Sequence, residues 1–478
     1  MTARAGGPRF KQRVNYLLLI GLCVLTVRCY TKSYIRGLAM AGLLMVCVTD
    51  KLRLDLPGAL PELTIQRLLL LISVYYWRRE GRYRIKYRER TVNNVLMGSL
   101  LLVLFSTIFS MAIDLSVKSI ISLAFEEYFF YWLVYTSVRS EKDILLVFKH
   151  FGYGLAIVAA LGFVEYYTQF NPVDEYILEG PRPDMGLAYA GWYDVMGTFP
   201  HRILFGYAMV CGAVVAFGCY FLEKKRLSRY LWLGCVLLSS AATYFSNSRG
   251  PWFALPLAVG VIAVWGDTRS RKLILYLNVA ILIGLMLKPG VRETITDLVS
   301  STFQKDTHKG DSYEYRWECW SVAWKMICNS PVRFLFGYGG LSTQRMDLKD
   351  VFSFGGSTFK LGYTSWDNQY AANLIEYGVL GFMGFNVVFI AVCARVFGRK
   401  SGLSPSLAYV VTTAKAVLVV YLFLMTNVYS FSNQLKYFLW GIVALALAAP
   451  RMRDKAPATA VEFEVTGLKN LKNSHESD

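Results

Sequence analysis

The chain has 478 residues, 55% of them hydrophobic and 18% charged, with a formal net charge of +18 and a mean hydropathy of +0.37. The apolar residues fall in runs of about twenty, long enough to cross a bilayer core about 30 Å thick, and so many helices apolar all round exclude a water-soluble α-helical protein. In a soluble protein the basic excess would point to nucleic acid; here Lys and Arg collect between the apolar runs, as they do in cytoplasmic loops, and no nucleic-acid partner is expected.

A basic start (Arg4, Arg9, Lys11, Arg13) leads into a first apolar stretch at 14–30 with no small-residue cleavage site, which reads as an anchor. Two more stretches, 35–49 and 63–77, precede the basic loop Arg78–Arg90. The middle one is brief and flanked by Arg36, Asp50 and Lys51, so two crossings are expected there and both termini inside. Spans near 93–113, 117–138 and 144–168 follow, then an external loop at 169–201. Spans near 202–222, 230–246, 251–266 and 273–289 lead to a second, larger external loop at 289–369, and spans near 371–396, 407–428 and 432–449 complete the set. The expected fold is all-α and polytopic, with about twelve transmembrane helices. Residues 1–450 form the membrane domain and 451–478 a loose polar tail inside. Of the nine cysteines only Cys319 and Cys328 lie in a long loop, and on a helix they would stand about 13 Å apart, too far to bridge.

Long loops without obvious structure are usually functional, and three polar clusters lie in or beside these two. The first is Thr243–Trp252, TYFSNSRGPW. Ser248 or Asn247 can cap the helix that Pro251 helps to start, and the free N–H groups of that start, with the Arg249 fork, would suit a diphosphate. The plainer reading is a capped helix with a snorkelling arginine. The second is Tyr313–Cys328, where Tyr313, Trp317, Trp320, Trp324 and Ile327 recur at helical spacing. That stripe suits an amphipathic helix lying in the membrane interface, or equally a face packed on the loop's own core; Arg316 borders it, within reach of a phosphate at the same depth. The third is Trp366–Tyr377, WDNQYAANLIEY. Asp367 can act as a base toward a sugar hydroxyl or cap the following helix, with Asn368 as the other candidate cap. Glu376 falls inside the start of a span, where an ionisable group needs a partner, and an arginine is the expected one.

Taken together, SNSRGPW, YRWECWSVAW, the turn FGYGG containing Tyr338, and DNQYAANLIEYGVLG follow in order the pattern of the O-antigen ligase/polymerase superfamily, with Met196–His201 (MGTFPH) as an upstream landmark. The resemblance covers roughly 190–390. It implies a metal-independent glycosyltransferase of the GT-C type without a cofactor, in the bacterial inner membrane with its active site facing the periplasm. Its donor would be a glycan on undecaprenyl diphosphate. By carry-over, Arg249 and Arg316 hold the diphosphate and Asp367 stands where the ligases have a catalytic His. Ser248, Asn368, Tyr338, Trp320 and Glu376 are the expected substrate-binding residues.

An Asp in place of that His looks more like the polymerase members, which join lipid-linked repeat units of O-antigen, capsule or exopolysaccharide, with a flippase and a chain-length regulator as partners. The alternative within the family is a ligase passing finished polymer to lipid A–core or another acceptor. A lipid-linked glycan flippase is the reading from another class. It would need charges lining a path through the spans, whereas here they gather at span ends.

Overall fold

The computed structural model describes residues 8–54, 62–84, 89–177, 193–276, 308–346, 366–398, 402–429 and 433–455. Among them the chain is helical, apart from a two-residue antiparallel pair, Arg53–Leu54 with Leu63–Thr64. The first helices are α1 (Pro8–Lys32), α2 (Tyr34–Cys47), α3 (Ile65–Arg79) and α4 (Arg90–Ile108). Next come α5 (Ile113–Ser122), a π-helical segment (Leu123–Phe129), α6 (Phe130–Ser137), α7 (Glu141–Thr168) and the short α8 (Pro172–Tyr176). Then follow α9 (Arg202–Leu222), α10 (Arg226–Phe245) and α11 (Arg249–Trp265). A helical stretch at 268–276 precedes α12 (His308–Ile327) and α13 (Pro331–Phe336), and the chain closes with α14 (Gln369–Phe397), α15 (Pro405–Leu424) and α16 (Asn433–Ala448). Among the described residues seven helices are long and apolar enough to cross a membrane, and α2 and α11 are shorter apolar helices.

The helices run between two ends that differ in chemistry. At one end Arg82 donates to the Ser137 carbonyl at 2.9 Å and stacks over Tyr34. There Arg451 bonds the carbonyls of Tyr135 and Val138, Lys149 pairs with Glu223 at 2.6 Å and Arg395 with Glu89 at 2.8 Å. This basic end gathers the stops of α3, α6, α9, α14 and α16. The opposite end gathers the starts of α9, α11, α14 and α16, together with α12 and α13, and so holds all three polar clusters.

Three helices running in alternate directions precede Arg78. The Tyr30 hydroxyl, near the stop of α1, donates to Ser73 at 2.7 Å and its ring stacks on Tyr76, which puts that stop at the basic end. Asn15, near the start of α1, reaches the Ile177 carbonyl beside α8 at 3.4 Å, at the opposite end. Between them α2 makes its own pass. Its start lies under Arg82, and the Val48 carbonyl just past its stop accepts from Gln66 at the start of α3. Its fourteen residues span about 21 Å, less than an unaided bilayer crossing needs, and α2 tolerates that because it is buried among other helices rather than facing lipid.

Two further features shape the polar end. In the π-helical segment, adjacent carboxylates take partners from different helices: Arg67 donates to Glu126 at 2.6 Å, while Glu127 accepts from Trp440 at 2.9 Å and faces Lys436 at 3.8 Å. In α14, Gly378 adopts φ +62°, a break in an otherwise helical run. The break leaves carbonyls one turn back without helical donors, and a buried carbonyl needs one. The FGYGG turn supplies them: Tyr338 N–H donates to Ile375 O at 2.9 Å and Gly339 N–H to Glu376 O at 2.7 Å. Backbone meets backbone so closely that a Cβ on Gly378 would lie 2.6 Å from Leu335.

Candidate active site

The first cluster forms the corner between α10 and α11. Asn247 takes left-handed backbone angles (φ 47°), and its side chain donates to Asp194 at 3.0 Å. Asp194 in turn pairs with Arg202 at 2.8 Å, so the segment just before MGTFPH ties the corner to the start of α9. Ser248, buried, occupies the N-cap position of α11 without a side-chain capping bond, and Arg249 is the first helical residue. The corner is pressed onto α9, since a Cβ on Gly206 would meet Pro251 at 2.5 Å and one on Gly250 would meet the Tyr207 hydroxyl at 2.7 Å.

The second and third clusters meet directly. Arg316 on α12 faces Asp367 at 3.6 Å and donates to the Asn427 carbonyl at 3.4 Å. Asn368, not Asp367, caps α14, its side-chain oxygen accepting from Ala371 N–H at 3.1 Å, which leaves the Asp367 carboxylate turned to the arginine. Burial pushes the nearby Cys319 thiol up to about 12, with the Asp367 charge acting in the same direction. Cys319 and the exposed Cys328 are both free thiols.

The tryptophan stripe divides. Trp317 and Trp324 are 62% and 52% exposed, whereas Ile327 is buried with Tyr315, Cys319 and Val322 on the face turned to α14. Trp320 lies between these faces and packs edge-on against Phe382 of α14. Expecting Ile327 on the tryptophan face was therefore wrong, because the apolar seam follows residues 315, 319, 322, 323, 326 and 327. The Tyr313 side chain falls outside the described residues. The Tyr338 hydroxyl donates to the Met326 carbonyl at 3.2 Å and its ring carries Arg333 at 4.6 Å, so Tyr338 ties the glycine turn to α12.

The expected arginine partner of Glu376 is not what the structure gives. Its carboxylate, 2% exposed, accepts from Tyr429 at 2.8 Å and from the Thr343 hydroxyl. At this depth two hydroxyls on Oε1 stabilise the group without bringing in a second charge to desolvate.

Sequence reasoning missed the segment that joins these parts. After α15, Met425 O accepts from Gln369 N–H at 2.9 Å, Asn427 O accepts from Arg316, and the Asn427 side chain donates to the Tyr207 hydroxyl at 3.1 Å. Arg316 is also close enough to couple electrostatically to that hydroxyl. Tyr207 and Asn427 thus link the SRG corner to the Arg316–Asp367 pair. The available signal was a lone polar TN pair closing an apolar run.

Part of this geometry lies in a region that matches a known family. The O-antigen ligase family model matches residues 234–386, which include Arg249, Arg316, Asp367, Asn368 and Glu376. An uncharacterized protein of Haemophilus influenzae is 25% identical over 181 residues, 36% of this chain and 44% of that protein, so the similarity spans less than half of the relative's length. With the motifs in family order on one end of a helical bundle, the match over 234–386 supports assignment to the O-antigen ligase/polymerase superfamily.

Proposed function

We propose that the chain is an inner-membrane glycosyltransferase that moves a glycan from a polyprenyl diphosphate, undecaprenyl diphosphate in a bacterium, to an acceptor hydroxyl. The observation that carries this reading is the Arg316–Asp367 pair at 3.6 Å, linked through Asn427 and Tyr207 to the corner that bears Arg249. A cation beside a carboxylate suits a reaction in which negative charge builds on one group while another gives up a proton. The acceptor oxygen attacks the anomeric carbon, the bond to the diphosphate oxygen breaks, and its electron pair leaves with the diphosphate. Arg249 and Arg316 stabilise that charge; Asp367 takes the acceptor's proton. In this reading Ser248 and Asn368 help to bind the substrate, while Trp320, Tyr338 and Glu376 hold the surrounding elements in place. The polar end faces the periplasm and the basic end the cytoplasm, in a polytopic bundle of GT-C type.

Between the two reactions of the superfamily, ligation to lipid A–core or a comparable acceptor is the better supported, since the matching family is described as an O-antigen ligase. Polymerisation of repeat units, assisted by a flippase and a chain-length regulator, is the second reading. It is favoured by Asp367 in the position where ligases resemble one another in carrying His. Purified protein given lipid-linked oligosaccharide, with and without lipid A–core, separates them. Product only with the acceptor means ligase, a ladder on the lipid carrier without it means polymerase, and no product in either case rejects the proposal.

A further inference from the structure

We propose that Asn427 is a positioning residue of this transfer site, acting with Tyr207 to fix the distance between the SRG corner and the Arg316–Asp367 pair; the inference rests on the function proposed above. Both residues lie outside 234–386, the segment covered by the family match. Asn427 touches both halves of the site with different atoms. Its main-chain oxygen accepts from Arg316 at 3.4 Å. Its side-chain amide donates to the Tyr207 hydroxyl at 3.1 Å, and its Cγ and Oδ1 stand 3.4 Å from where a Cβ on Gly250 would be.

The amide itself is held from behind. The same nitrogen lies 3.0 Å from the Phe423 carbonyl and 2.8 Å from the Thr426 hydroxyl, its two N–H groups shared among the three acceptors, and two residues earlier Met425 O anchors the start of α14 through Gln369 N–H. An asparagine that only capped α15 would need the Phe423 bond and nothing more. The contacts to Tyr207 and Arg316 instead make it a spacer between two cations that must grip one diphosphate, where a shift of about 1 Å can cost a hundredfold in rate.

The test uses the full-length protein in lipid nanodiscs with farnesyl diphosphate as a short prenyl diphosphate probe, followed by calorimetry. Asn427→Ala is expected to weaken binding about tenfold, the worth of one well-placed hydrogen-bonded contact. Tyr207→Phe, which removes a single oxygen, should act in the same direction. In an Arg316→Lys background the Asn427→Ala loss should shrink to about twofold or less, because residues acting through one another are not additive. A purely structural loss would multiply through instead. Hydrogen exchange supplies a readout independent of substrate: in Asn427→Ala it should rise in both 246–252 and 315–320. Unchanged probe affinity in both single variants, fully multiplicative losses, or exchange rising only around 423–429 would each overturn the inference. Wild-type protein that ignores the probe while both segments loosen in the variant would instead reject the proposed function and leave the spacer role standing.

Discussion

A methyl group at position 250 would sit 2.7 Å from the Tyr207 hydroxyl, closer than real Cβ contacts come, so the glycine of the SRG motif is a requirement of approach rather than of backbone angle. Gly250→Ala is expected to push Arg249 outward and slow glycan transfer about a hundredfold while membrane insertion is unchanged; initial rates on purified variant check it. Arg316→Ala or Asp367→Ala should each reduce transfer about a hundredfold or more, measured in the same assay, and full activity in either variant would remove that residue from the site. The arginines and the aspartate were legible in the sequence because charged residues beside apolar runs stand out against what a membrane tolerates. Asn427 and Tyr207 were not, because one amide or one phenol at the end of a span has an ordinary place at a helix terminus. The partner of Glu376 was misjudged for a related reason: charge suggests charge, but Thr343 and Tyr429 reach it from segments whose proximity no spacing reveals.

At the scale of elements, the break in α14 and the glycine turn are one device. Gly378 holds φ +62° and ψ −170°, a region essentially confined to glycine where a side chain costs about 1–3 kcal/mol, and a Cβ there would also strike backbone at 2.6 Å. Gly378→Ala should therefore lower the thermal unfolding midpoint by several degrees and loosen the FGYGG turn; an unchanged midpoint in a thermal scan would contradict the account. The seam of α12 makes a second prediction. With its thiol held up to about 12 by burial and by Asp367, Cys319 carries almost no thiolate at pH 8, and maleimide reacts with thiolate. Cys328, exposed, should label in folded protein at that pH while Cys319 labels only after denaturation, as peptide mass mapping would show. Helix positions came readily from apolar periodicity. The kink did not, since Gly in a helical run reads as a mild weakness until its backbone partner is known.

For the whole molecule, the passes of α1 to α3 put the start of α1 at the polar end with α8, and the basic loops at the other. If that polar end faces outward, a membrane-impermeant maleimide should reach Cys328 in intact cells, and an epitope at the N-terminus should be accessible on the same side; labelling that requires permeabilisation would reverse the orientation. The direction of α2 was not legible in the sequence: so short an apolar run gives no sign of the burial among neighbours that lets it run antiparallel between α1 and α3. The two carboxylates of the π-helical segment bear on how such a bundle is built. Glu126 finds Arg67 on a helix made earlier in synthesis, but Glu127 waits for Lys436 and Trp440 on α16, the last apolar helix among the described residues. A carboxylate set among packed helices is costly without a partner, so the seam along the π-helical segment closes only when α16 docks as its clasp.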